Sequence, residues 1–222
     1  MSKDASQPGG NGEPQLSRAT VGRLSLYLRT LQGMVREGVE TISSSQLGDA
    51  LGVTDAQVRK DFGYLGKLGY AGIGYYPQEL VVKIRQTLGL DRTWNVVLIG
   101  AGNLARALLR YRGFREQGFH VVGVFDSDSS KHGQRLDDLV VETPERLAAV
   151  IGTSRAQLGI ITVPASAAQS VADSLVAAGI RGILNFAPTV LKTPPEVRVV
   201  SVDLTVKLEE LAFLVQRDRL GD

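Results

Sequence analysis

The stretch Asn95–Asp126, NVVLIGAGNLARALLRYRGFREQGFHVVGVFD, constrains the fold more than any other part of the chain. Val96–Ile99 is a short apolar run suited to a buried parallel strand. Gly100-Ala101-Gly102-Asn103-Leu104-Ala105 follows at once, a G-x-G-x-x-A pattern. The first glycine permits a tight turn, the second lets backbone approach a pyrophosphate, and the small third residue lets a helix pack close to the strand. The N–H groups that open this helix would then face the phosphates. His120–Phe125 reads as the next strand, with Asp126 at its end, 24 residues after Gly102. A carboxylate there accepts hydrogen bonds from a ribose 2′-OH and repels a 2′-phosphate. Ser127–Ser130 contains no Lys or Arg, which favours NAD(H) over NADP(H).

At 222 residues the chain suits one large domain or two small ones. It has no cysteine, which excludes disulfides, thiolate metal sites and thiol redox sensing. Its two histidines, His120 and His132, argue against a histidine metal cluster, and no metal site is expected. No apolar run approaches membrane-spanning length and the N-terminus lacks a signal-peptide core, so a cytoplasmic protein without membrane contact is expected. The net charge is only +2, so a basic face must be local.

Residues 1–15 are rich in Ser, Gly, Pro and Gln and read as a disordered arm. Leu24, Tyr27/Leu28, Leu31 and Met34/Val35 recur at helical spacing. Ser43–Ser45 offers N-caps for a short helix, Gln46–Leu51, closed by Gly52. Thr54 opens a third helix predicted to reach about Leu68, and Gln57 completes a capping-box pattern. Helix, glycine turn, helix is the helix-turn-helix pattern, with Thr54–Asp61 as recognition helix. Val58, Phe62 and Leu65 form its inward stripe; Gln57, Arg59 and Lys60 fall outside it and suit bases or phosphates. Leu68–Tyr76, with its glycines and aromatics, predicts a small hairpin, the wing of a winged helix. From Gln15 to Leu90, nine Lys/Arg oppose six Asp/Glu, an excess of the sign DNA requires. A connector helix from Pro77 to Leu88 ends this domain.

Beyond Asp126, strands are expected at Leu139–Val141, Leu158–Val163, Ile183–Asn185 and Val197–Val202, with helices at Pro144–Val150 and Ser166–Ala178. Alternating strands and helices predict a parallel, doubly wound sheet. Ligands lie at the carboxyl ends of such strands. Those ends supply Gly100–Ala105, Asp126, Thr162-Val163-Pro164 and Asn185-Phe186-Ala187. Finally, Leu204, Leu208, Leu211 and Val215 lie at helical spacing in Asp203–Arg217, with Asp203 a possible N-cap. Packing on its own domain and exchange between subunits both fit this helix.

A winged helix joined to a Rossmann domain resembles the redox-sensing repressors of the Rex family, from Arg18 to the last helix. The most specific stretches are Ser44–Gly48, Val58-Arg59-Lys60-Asp61, Gly72–Tyr75, Thr162–Pro164 and Ala177–Pro188. The resemblance implies an NADH-sensing homodimer that binds an inverted-repeat DNA operator and leaves it when NADH binds, with NAD⁺ competing. It implies domains at 16–90 (winged helix-turn-helix), 91–202 (Rossmann-like parallel sheet) and 203–222 (a C-terminal dimerisation helix exchanged between subunits). On this reading the DNA-binding set is Ser44, Gln57, Arg59, Lys60, Lys67, Gly72, Gly74 and Tyr75. Tyr111 joins the cofactor set Gly100–Ala105, Asp126, Thr162, Val163, Pro164, Asn185 and Phe186. Arg29, Tyr111 and Asp203 would form a polar switch. Ala71 stands where the family commonly has a wing Arg, and Leu204 where some relatives have Phe. An NAD-dependent oxidoreductase is the alternative. Against it, no Tyr is followed four residues later by Lys, neither His is placed as an evident acid–base, and no catalytic residue emerges.

Overall fold

The protein is described by a computed structural model covering residues 16–220, with side chains as far as 217. The expected arm, 1–15, lies outside the described residues. The chain divides into two compact units after Asp91.

The first unit is built on helices α1 (Arg18–Arg36), α2 (Ser44–Leu51), α3 (Asp55–Gly63) and α4 (Pro77–Thr87). Leu24, Tyr27, Leu28 and Leu31 project from one face of α1 into a core shared with Leu47, Val58, Phe62, Leu65, Leu80 and Ile84. Phe62 links Tyr27 and Tyr75 edge-to-face, with ring centroids 5.4 and 5.1 Å away. Local chemistry sets the ends. Ser17 caps α1, and Ser43 and Gln46 form a reciprocal capping box on α2. Gly48 is buried where a Cβ would meet the Val53 carbonyl at 2.5 Å, so α2 can close onto the turn before α3.

Three expectations change. α3 stops at Gly63 rather than near Leu68, because two glycines, Gly63 and Gly66, lie in the segment and Gly66 takes a left-handed φ of +97°. At α3 the capping box is half made: Thr54 accepts from the Gln57 N–H, while the Gln57 side chain turns to Asp61. The wing is reduced from a hairpin to two isolated antiparallel bridges, Tyr70–Gly74 and Ile42–Tyr75. Gly74 is required there. Its φ is +101°, and a Cβ would strike the Ile42 carbonyl at 2.6 Å.

The second unit carries β1 (Trp94–Ile99), α5 (Asn103–Arg110), α6 (Arg112–Glu116), β2 (Phe119–Phe125), β3 (Arg135–Leu136), β4 (Leu139–Glu142), α7 (Leu147–Ser154), β5 (Leu158–Ile161), α8 (Ala165–Ala177), β6 (Gly182–Asn185), β7 (Arg198–Ser201) and α9 (Leu204–Leu220). The sheet order is β3-β4-β2-β1-β5-β6-β7. It is parallel except for the short edge strand β3, which runs against β4 and is absent from the strands expected from the sequence. Val97, Ile99 and Ile161 face one apolar layer with residues of α7 and α8. Val96, Leu98 and Ile160 face another with Ala101, Ala105 and Leu108. The sheet is therefore buried on both faces, as parallel strands require. The chain order reverses between β1 and β5, which places a crevice beyond their carboxyl ends.

Candidate functional site

The crevice is built by the ends of three neighbouring strands. β1 ends in Gly100, whose φ is +100°. A Cβ there would lie 2.9 Å from the Thr162 carbonyl oxygen and 2.7 Å from its Oγ1. Strand β5 ends two residues earlier than expected, at Ile161, so Thr162–Pro164 form the opposing loop. The Thr162 hydroxyl donates to the Ile99 carbonyl at 3.0 Å, tying that loop to the glycine turn. At Gly102 the situation reverses: a Cβ would meet nothing within 4 Å. Gly102 is the N-cap of α5 and no side chain caps that helix, so its first N–H groups have a use for an anion. Ala105 is fully buried, and its small side chain lets α5 lie close to the sheet. A backbone cradle with open space over Gly102 fits the diphosphate of a dinucleotide. Pro164 opens α8 at the neighbouring strand end, again without a side-chain cap.

Asp126 ends β2 and is buried. Its Oδ2 accepts from the Ala101 N–H (2.8 Å) and from Lys131 Nζ (2.9 Å), and its Oδ1 accepts from the Asp128 N–H (2.9 Å). Burial alone would raise its pKa, but the Asp128 N–H, the Lys131 ammonium and the Ala101 N–H outweigh it and hold the carboxyl below the usual range. Asp126 thus clamps the glycine turn that follows β1. Lys131 lies one residue beyond the cation-free stretch Ser127–Ser130, so its position in the chain does not mark it as a partner of Asp126. A single 3-10 turn, Ser129–Lys131, brings it back.

The other expected cofactor residues take distinct places. Asn103 and Leu104 are exposed in the first turn of α5. Val163 is half-buried between Thr162 and the exposed Pro164. Asn185 is fully buried, and its amide closes its own loop, donating to the Ala187 and Thr189 carbonyls and accepting from the Ala187 N–H. It shapes the loop that follows it, while Phe186 is half-buried against the sheet. Tyr111 breaks the fingerprint helix by adopting extended backbone (ψ 101°) and is half exposed, edge-to-face with Phe114. Asp203 caps α9, accepting from the Thr205 N–H at 2.9 Å. Arg29 is exposed on α1.

In the first unit, α2, the turn at Gly52 (φ +67°) and α3 form the helix-turn-helix. Arg59 and Lys60 are exposed on α3. Arg59 is steadied by Asp55 Oδ2 at 2.5 Å and by Ser44 Oγ at 3.2 Å, so Ser44 positions it across the turn. Lys67 and Gly72 are exposed beyond α3, whereas Gly74 and Tyr75 are half-buried, Tyr75 against Phe62.

Gln57 departs from the expected outward role: its Nε2 donates to Asp61 Oδ1 at 2.9 Å. Asp61 is the residue that sequence reading missed. Its carboxylate also accepts from Arg23 Nε (2.6 Å) and Nη2 (2.8 Å) and from the Tyr27 hydroxyl (3.0 Å). Burial pushes Asp61 up, yet Arg23, Tyr27 and Gln57 hold it below the ordinary carboxylate range. Burial, and then its bond to Asp61, push the Tyr27 phenol up to about 12. A carboxylate inside an apolar stripe, beside an Arg and a Tyr four apart on α1, was the available signal.

Comparison with known proteins bears on both units. Residues 15–63 match a family model described as a putative DNA-binding protein N-terminus, and residues 91–189 match one described as a CoA binding domain. The redox-sensing transcriptional repressor Rex of Carboxydothermus hydrogenoformans is 50% identical over 204 residues, covering 92% of this chain and 98% of that protein. The Rex of Pelotomaculum thermopropionicum is 48% identical, covering 92% and 96%. Among solved structures, RSP in complex with β-NADH superposes with a TM-score of 0.83 at 35% identity, covering 92% of this chain and 96% of that one. RSP with β-NAD⁺ and operator DNA superposes at 0.87 and 36% identity, covering 93% and 95%. The chain belongs to the Rex family of redox-sensing transcriptional repressors.

Proposed function

We propose that this chain is a repressor whose first unit binds a double-stranded operator and whose second unit reads the NADH/NAD⁺ ratio, releasing DNA when NADH binds. One observation carries this reading: a helix-turn-helix with exposed cations and a dinucleotide cradle share a chain that is half identical to a Rex repressor. The Rex relatives are transcriptional repressors and not enzymes. An operator also places the protein in the cytoplasm, and no helix among the described residues is long and apolar enough to cross a membrane.

Gly100–Ala105 and the N-terminus of α5 hold the diphosphate, and Asp126 accepts a hydrogen bond from the adenosine ribose. Thr162, Val163, Pro164, Phe186 and Tyr111 wall the nicotinamide half, and Asn185, buried and bonded within its own loop, holds the segment that carries Phe186. NADH and NAD⁺ differ in nicotinamide charge, so a poorly hydrated wall discriminates between them. Arg59 and Lys60 meet the operator, with Ser44, Lys67 and the wing Gly72–Tyr75 beside them. Arg29, Tyr111 and Asp203 form the polar switch that couples the units. Each ~1.4 kcal/mol by which NADH prefers the non-binding arrangement lowers operator affinity about tenfold, and DNA must weaken NADH binding by the same factor.

The homodimer is completed by α9. Leu204, Leu208 and Leu211 on one side of that helix, and Val206 and Phe213 on the other, are 43 to 67% exposed. A helix apolar on opposite sides needs cover on both. Exchange with a second copy supplies it.

Fluorescence anisotropy on an inverted-repeat DNA selected from a random pool, titrated separately with NADH and NAD⁺, tests the reading. Release by NADH at concentrations where NAD⁺ does little is expected. DNA binding indifferent to both nucleotides overturns it.

A further inference from the structure

The loop after β2 folds a cation, Lys131, back onto Asp126. Lys131 Nζ lies 2.9 Å from Asp126 Oδ2 and 3.7 Å from Asp128 Oδ2. Its placement is built in. Asp128 Oδ1 accepts from the Ser130 N–H and hydroxyl (3.0 and 2.6 Å), closing the 3-10 turn. His132 Nε2 donates to the Asp126 carbonyl at 2.7 Å, and Gln134 Nε2 donates to the Ser130 carbonyl at 2.9 Å. The Lys131 side chain is one-third exposed, so it is not sealed away from solvent.

This geometry alters what Asp126 can do. Two donors already occupy Oδ2, and Oδ1 holds the Asp128 N–H, which leaves one acceptor position for a ribose hydroxyl instead of a bidentate pair. Both sources of preference for a free 2′-OH are thereby reduced: the hydrogen bonds it gains and the charge repulsion a 2′-phosphate meets. A 2′-phosphate brought to this corner faces an ammonium–carboxylate pair rather than a bare carboxylate, and phosphate is a natural ligand for a lysine point charge.

We propose that Lys131 is a specificity-determining residue of the nucleotide site, which narrows the discrimination that Asp126 alone would exert and admits NADPH as a weaker second ligand. The inference rests on the dinucleotide reading of the same site. The redox signal would then include a contribution from the phosphorylated nicotinamide pool wherever NADPH greatly exceeds NADH.

Calorimetric titration of the full-length protein with NADH and with NADPH tests this in wild type, Lys131→Met and Lys131→Arg. Lys131→Met should raise the ratio of the NADPH to the NADH dissociation constant about tenfold, equivalent to ~1.4 kcal/mol, mainly by weakening NADPH. Lys131→Arg should restore the wild-type ratio. A purely structural role would weaken both nucleotides together, so an unchanged or smaller ratio in Lys131→Met overturns the assignment. So does wild-type protein that binds NADH and gives no NADPH signal. Failure of wild type to bind either nucleotide would instead overturn the dinucleotide reading itself, and the assignment with it.

Discussion

Asp61 in the first unit and Asp126 in the second each gather several donors, yet they sit in opposite surroundings. The Asp61 side chain is 1% exposed, enclosed by the first unit's core, and its four donors all come from side chains of α1 and α3. The Asp126 side chain is 10% exposed at the mouth of a crevice, and two of its three donors are backbone N–H groups. A buried carboxylate with every partner supplied by the protein fixes geometry: it locks the rotation of α3 on α1, and with it the direction of Arg59 and Lys60. A carboxylate held mainly by backbone at an open edge keeps an acceptor for a visitor. The first arrangement suits a rigid reading head and the second a ligand site.

The sharpest way to break this contrast is Asp61→Ala. It leaves Arg23, only a quarter exposed, and Tyr27 without their partner. A loss of about 3 kcal/mol is expected, at the lower end of the range for a broken buried pair because Arg23 can reach some water. Urea unfolding measures it. The pH dependence has a definite sign. The carboxyl is held down in the folded protein, so its stabilisation is complete above the unfolded value of about 3.9 and fades as pH falls from there. Asp61→Asn should flatten that acid limb. Equal acid sensitivity in wild type and Asp61→Asn would show the network to be energetically idle.

Next in size is Gly100→Ala. The residue sits at φ +100° and its new methyl would press on the Thr162 carbonyl. About 2 kcal/mol of strain is expected, together with loss of NADH binding, because relief requires the turn to move away from β5. Thermal unfolding and nucleotide titration check the two effects separately. Unchanged NADH affinity would detach Gly100 from the cradle.

What the sequence disclosed follows from what each signal depends on. The glycine turn, the Rossmann-like sheet and the helix-turn-helix rest on short-range patterns, namely glycine spacing, apolar period and caps, and all three were legible. Boundaries governed by glycines were not: α3 ended five residues early at Gly63, with Gly66 beyond it, and the wing shrank to isolated bridges at Gly74. The site's polar wiring was less legible still, because its contacts are long-range. Asp61 pairs with Arg23 across 38 residues, and nothing local to Val58-Arg59-Lys60-Asp61 says that its acid turns inward and takes Gln57 with it. Lys131 is close in sequence, but it reaches Asp126 only because a 3-10 turn folds the loop back. Apolar α9 was legible as a helix, but its apolar side chains stay exposed within the chain, so their cover is not written in local sequence.

Asp126→Ala sharpens the contrast from the other side. It removes the acceptor of the Ala101 N–H, which is buried, but frees Lys131 into water. A stability loss of about 1–2 kcal/mol is expected, the cost of one unsatisfied donor, less than for Asp61→Ala. NADH affinity should fall about tenfold through the lost ribose hydrogen bond. If Asp126→Ala proved more destabilising than Asp61→Ala, the distinction between a fixing carboxylate and a receiving one would fail.

The smallest effect on stability belongs to the reading head's outer surface. Arg59 and Asp55 form an exposed pair, with side chains 53% and 46% accessible, and Lys60 is exposed beside them. Arg59→Ala and Lys60→Ala should each change unfolding free energy by less than about 0.5 kcal/mol. Their consequence appears only with DNA. Each cation that meets a phosphate adds about one to the slope of log affinity against log salt, so each variant should weaken operator binding and lower that slope by roughly one. Arg59→Ala should be the worse of the two, since it also leaves the Asp55 carboxylate in the first turn of α3 without its cation, and an unpaired carboxylate repels nearby phosphates. Asp61→Asn supplies the discriminating partner: a positional fault in α3 should lower operator affinity while leaving the salt slope intact, because the cations remain. Three variants measured at four salt concentrations therefore separate the side chains that touch DNA from the one that aims them. A reduced slope in Asp61→Asn with an unchanged slope in Arg59→Ala and Lys60→Ala would reverse that assignment.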